Sequence, residues 1–145
     1  MPMARSKSAS KSDLVIRAKT TATRILEISE TAVRIESSEK GTVAGKYYSG
    51  YHWDTVEGTI QADGTASLVI RYMHMTKKGD SVVGTGTGVQ EPGNSRGVAK
   101  VRAEGMMWTS SERLRNFNGG RWRVEGEFDT IKETLLVRGN LEPAG

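Results

Sequence analysis

Asp54, Tyr72 and His74 supply a carboxylate, a phenol and an imidazole within 21 residues, the three groups that general acid–base chemistry most often combines. A carboxylate can orient an imidazole or take a proton itself, and a phenol can donate to a developing oxyanion. The same trio can also be a buried, fully hydrogen-bonded cluster with no chemistry to perform. His52 and His74 are the only histidines and there is no cysteine, so a metal site would need both imidazoles plus carboxylates such as Asp54. That is short of the three or four well-spaced ligands by which zinc sites declare themselves, and neither a metal nor a cofactor is expected. No Gly-x-Ser-x-Gly nucleophile motif occurs, and without cysteine there is no thiolate nucleophile or disulfide framework.

These residues lie in segments that read as strands. Turn signals fall at SEKG (38–41), ADG (62–64), KKGD (77–80), EPGNSRG (91–97) and NFNGG (116–120). Between them the apolar residues recur with a period of two. Val56 and Ile60 alternate with Thr55, Glu57, Thr59 and Gln61; Val101, Ala103 and Met107 oppose Lys100, Arg102 and Glu104; Trp122, Val124 and Phe128 alternate with charge. LVIRAKTTATRILEI (14–28), AVRIE (32–36) and ETLLVRGNL (133–141) complete the series, and SSERLRNF (110–117) offers one helical turn.

SVVGTGTGVQ (81–90) places glycine at every second position, Gly84, Gly86 and Gly88. A phosphate-cradling loop would require a helix after the glycines, but VQEPGNSRG follows, with Pro92 and Gly93 making a turn. The stripe is therefore one face of a strand. A three-residue KKG hairpin with Gly79 left-handed sets Tyr72 opposite Gly84, Ile70 opposite Gly86 and Leu68 opposite Gly88. Bulky side chains then cover bare backbone, a device of curved sheets. Across ADG the same counting sets Asp54 opposite Tyr72, while a loop slid to DGT sets it opposite His74. Either way Asp54, Tyr72 and His74 share the apolar face. A two-residue Asp63-Gly64 turn would disperse them.

Eight to ten short strands joined mostly by tight turns predict an all-β fold, a single antiparallel up-and-down β-barrel, because an open sheet of that length would expose its edges and an apolar face. A sandwich is the rival. An inward list rich in Gly, Ala and Val leaves space for a small hydrophobic or aromatic ligand, with Tyr48, Tyr72, His74, Trp108 and Trp122 as its contacts. Met73, Met75, Met106 and Met107 are the gap-fillers at hand. Met73 and Met75 fall on the face opposite Tyr72, which favours a homo-oligomer.

The 145 residues suit one domain, taken as 13–145, behind a basic tail over 1–12. The net charge of +4 resides largely in that Ser-rich tail, which carries Arg5, Lys7 and Lys11 and no acid; the remainder holds 18 basic and 17 acidic residues. Three charges make a weak nucleic-acid arm, and a disordered tail is the expectation. No apolar run is long enough to span a membrane and no signal-peptide core precedes the domain, so a soluble, cytoplasmic protein is expected.

DGTASLVIRYMHMTKKGD (63–80) and TSSERLRNFNG (109–119) resemble an uncharacterised bacterial family of small β-barrels known only as a domain of unknown function. Its DGT turn, Arg-Tyr pair and Thr…Gly turn correspond to Asp63-Gly64-Thr65, Arg71-Tyr72 and Thr76 with Gly79. Phe117-Asn118 stands where the family has Leu-Asn. The resemblance implies a lipocalin-like barrel and supplies no catalytic residues. The glycine rhythm from Gly84 to Gly97 is similar to allene oxide cyclase and dirigent barrels, oligomers that guide cyclisation or coupling of hydrophobic substrates, a likeness at the level of fold. Three functions stay open: a ligand-binding barrel, an isomerase or cyclase with Asp54 or His74 as base and Tyr72 as donor, and a filled barrel acting as an oligomeric interaction module.

Overall fold

The alternation along the chain becomes eight strands in the computed structural model, which describes residues 12–145. The strands are β1 (Leu14–Ile28), β2 (Ala32–Gly45), β3 (Gly50–Gln61), β4 (Ala66–Thr76), β5 (Ser81–Gln90), β6 (Val98–Thr109), β7 (Arg121–Asp129) and β8 (Thr134–Glu142). Each pairs antiparallel with the next, and β1 closes on β8 through Leu14–Lys19 to form an up-and-down barrel. Closure removes the edges that an open eight-stranded sheet would present. The tail expected over 1–12 lies, but for Ser12, outside the described residues.

The turns act as the residue types dictate. Gly79 has a φ of +90° and ends the KKG hairpin, with Thr76 N–H donating to Asp80 O at 2.8 Å and Gly79 N–H donating to Thr76 O at 3.0 Å. The glycines of β5 fall opposite Tyr72, Ile70 and Leu68, the register set by that hairpin. The ADG loop likewise puts Asp54 opposite Tyr72. One turn signal misled: SEKG lies inside β2, where Glu39 pairs with Thr20 and Asp54. The pairing of β2 on both sides keeps those residues extended despite their turn-forming chemistry.

The barrel is stopped at one end. The loop between β2 and β3 and the segment between β6 and β7, with its 3-10 turn Arg115–Phe117, lie there. Tyr48, Leu114 and Phe117 are buried with Leu14, Val82, Met107 and Leu141, and the Tyr47 and Phe117 rings meet at 4.7 Å. At the other end Ile35, Ile60, Leu68 and Phe128 are only half-buried. There β1 outruns β8: from Ala22 onward it pairs with β2 alone, carrying the exposed Ile25 and Ile28.

Candidate functional site: a polar floor in an apolar barrel

Antiparallel register lines inward-facing residues of neighbouring strands into rungs across the wall. One rung runs Glu39, Asp54, Tyr72, Gly84 from β2 to β5; the next, toward the stopped end, runs Gly41, His52, His74, Val82. The two rungs place two carboxyls, two imidazoles and a phenol on adjacent levels of four strands. Tyr48 reaches the same level from the β2–β3 loop.

These groups form a continuous hydrogen-bonded chain. Tyr48 Oη lies 2.6 Å from His74 Nδ1, His74 Nε2 lies 2.8 Å from His52 Nδ1, and His52 Nε2 lies 2.6 Å from Asp54 Oδ2. Asp54 faces the Glu39 carboxyl across β2 and β3, and Thr20 Oγ1 donates to Glu39 Oε2 at 3.2 Å. All four imidazole nitrogens are engaged within the chain. Among the described residues no group of His, Cys, Asp and Glu is arranged to hold a metal ion.

Burial decides the charges. His74 is 1% exposed, and with His52, Asp54 and Glu39 it is sealed from bulk water. Loss of hydration lowers His52 to about 4 and His74 to about 3, so both rings are neutral near pH 7. Burial, reinforced by the neighbouring Asp54, pushes Glu39 up to about 9. Burial also raises Asp54, opposed by the neighbouring Glu39. Glu39 therefore holds its proton near pH 7, and Asp54, which His52 Nε2 meets, is the member of the pair placed to carry charge. Tyr48 and Tyr72 are both raised by burial and remain phenols.

Above this floor lies a cavity of about 170 Å³. Its walls are mainly aliphatic, including Ile70, Ala103, Val124 and Val137, with Tyr72 and Trp122 at its side. The Tyr72 ring is 4.7 Å from that of His74, nearly parallel to His52 at 6.4 Å, and edge-on to Trp122 at 5.5 Å. Trp122 is held by its indole N–H, which donates to Met106 O at 3.0 Å.

The structure brings together Asp54, Tyr72, His74, Tyr48 and Trp122. It excludes Trp108, which is 40% exposed on the outer wall. Met107 points inward, so its neighbour in a period-two strand must point out. Glu39 and His52 complete the floor. His52 was legible, since two residues before Asp54 on a strand is the same face; Glu39 was hidden by the turn-like SEKG.

No protein-family model matches the sequence, and no curated protein matches it. Solved structures do. A protein of unknown function from Clostridium acetobutylicum superposes with a TM-score of 0.75 at 12% identity, over 92% of this chain and 98% of that one. A conserved protein of unknown function from Rhodopseudomonas palustris gives 0.74 at 15% identity, over 92% and 96%. An enzyme from Penicillium herquei gives 0.67 at 18% identity, over 91% and 92%. At these identities the likeness is one of fold, an eight-stranded barrel shared with uncharacterised proteins and an enzyme.

Proposed function

We propose that the barrel holds one small, largely apolar molecule, its polar end toward Tyr72 and the floor of Asp54, His52 and His74. The observation that carries this reading is a cavity with aliphatic and aromatic walls and polar groups gathered at one end, the usual form of a small-ligand site. An apolar cavity of roughly 150 Å³ accepts benzene, so about 170 Å³ suits a molecule of one ring. The open volume speaks against a barrel filled by its own side chains.

Gly58 supplies the test. It lines the cavity, and a Cβ there would meet Ile35 Cγ1 and Leu68 Cδ2 at 3.6 Å, ordinary contact. Gly58→Leu should fold and fill the space. Saturation-transfer NMR with toluene and phenol should detect binding to the native chain and at least a tenfold loss in the variant. Equal binding by both would place the ligand elsewhere and end the proposal.

A second reading, acid–base isomerisation in the same cavity, is favoured by the unbroken chain from Tyr48 to Asp54 with Glu39 beside it, which a site serving adhesion alone does not need. Self-association is a separate proposal. Trp53, Met73, Val83 and Trp108 form one rung on the outer wall of β3 to β6, flanked by Tyr51, Met75 and Met106. The outer wall of β6 to β8 instead carries opposed charges, Lys100 by Glu127 and Glu125 between Arg102 and Arg138. An uncharged rung with a tryptophan at each end suits a second copy. A two-fold along the strands would set Trp53 against the partner's Trp108 and give the apolar centre of an interface.

A further inference from the structure

The polar floor has a direction. The Tyr48 hydroxyl has one partner among the described residues, His74 Nδ1, and must donate to it. His74 therefore carries its hydrogen on Nε2 and donates to His52 Nδ1, and His52 donates from Nε2 to Asp54 Oδ2. The reverse order would leave the Tyr48 hydrogen without an acceptor. Every donor in the chain points toward Asp54. Its other oxygen, Oδ1, is buried and meets no N–H or hydroxyl. On that side the Asp54 carboxyl faces Glu39, its partner across β2 and β3.

Tyr72 is the complementary feature. It lines the cavity, and its hydroxyl, which lies by Gly84, has no hydrogen-bond partner among the described residues, so it is free to donate to a guest. A donor on one wall and a singly protonated carboxyl pair on the floor suit a guest with an acceptor oxygen and an acidic hydrogen beside it. An anion would meet the charge of Asp54. A primary ammonium would need three acceptors and find fewer.

Resting on the ligand-site reading above, we propose that Glu39 and Asp54 act as an acid–base pair on a neutral, enolisable ketone of about one ring. The Asp54 carboxylate takes the α-proton; the C–H electron pair becomes the new C=C bond, and the carbonyl π pair moves onto oxygen, which accepts the Tyr72 hydrogen bond. Both carboxyls are then protonated and the enolate bears the charge. Return of a proton to the same carbon gives exchange, and return to the far carbon of a conjugated system moves the double bond. No oxidant or cofactor enters the balance. A carboxylate base beside a hydrogen-bond donor in an apolar site is a known solution to this chemistry.

The test is α-hydrogen exchange of cyclohexanone in D2O, followed by proton NMR, with saturation transfer reporting its binding. The native chain should accelerate exchange over buffer; Asp54→Asn should lose at least a hundredfold and Tyr72→Phe at least tenfold while still binding the ketone. Should Asp54→Asn fail to fold, judged by thermal melting, Tyr72→Phe decides alone, since it leaves the Tyr48–Asp54 chain intact. Bound cyclohexanone with exchange at the buffer rate overturns the acid–base role. Binding of toluene but not cyclohexanone overturns the substrate class and leaves the ligand-site reading standing. Binding of neither removes both.

Discussion

The Tyr72 ring occupies the space that a side chain at Gly84 would fill: a Cβ built there collides with the ring carbons and lies 2.6 Å from the hydroxyl oxygen. The two residues are register partners in β4 and β5, and neither works without the other's shape. Glycine lets the phenol lie against the wall, and the phenol covers backbone that would otherwise face the cavity.

Gly84→Ala should therefore destabilise the barrel by about 1–3 kcal/mol, the usual cost of overpacking, although alanine is ordinarily the better strand residue. Urea denaturation followed by circular dichroism measures it. A variant as stable as the native chain would mean that Tyr72 moves aside freely.

The floor predicts a stability maximum in pH. His52 and His74 titrate lower when folded than unfolded, so the unfolded chain binds more protons below about 6.5 and stability falls as the pH drops toward 4 and 3. Glu39 is the opposite case. Its folded value of about 9 exceeds the ordinary 4.5, so its contribution weakens as pH rises through that interval. Asp54, raised by burial, works in the same sense as Glu39; below 6.5 the two histidines oppose both carboxyls, and above 6.5 they no longer do. The melting temperature should peak near pH 6.5 and decline toward pH 9 by at most roughly tenfold in the folding constant per unit. Glu39→Gln should flatten the alkaline side and leave the acid side in place. An unchanged alkaline decline would show that Glu39 does not hold its proton near pH 7.

The tryptophan-ended rung outside the barrel predicts a change of mass. Light scattering after size exclusion should find an oligomer in the native chain and a monomer in the Met73→Glu, Trp108→Glu double variant, with circular dichroism unchanged because both side chains face outward. A native monomer at about 100 μM, a concentration at which standard interfaces are saturated, would dismiss the second copy.

Much of this fold was open to reading because its contacts are between neighbours in sequence. KKG and ADG each join two strands, so counting outward from either turn gives the register, and Asp54, Tyr72 and Gly84 align without further information. The same counting falters where loops are longer. Tyr48 is expected among the cavity contacts, but nothing in the β2–β3 connection foretells its direct hydrogen bond to His74, 26 residues away. Trp108, expected at the cavity, faces outward because it alternates with the inward Met107.

What the amino-acid order determines by itself is the alternation, the KKG and ADG turns and hence the barrel and its apolar, glycine-striped interior, since these depend on backbone sterics and on which face of each strand tolerates water. What tertiary structure alone decided is the chemistry of the floor. Glu39 meets Asp54 only because β2 stays extended through SEKG, held between β1 and β3, and the histidines stay neutral only because closing the sheet strips them of water. Pairing across strands and exclusion of solvent belong to the assembled barrel, and no local stretch of chain carries them.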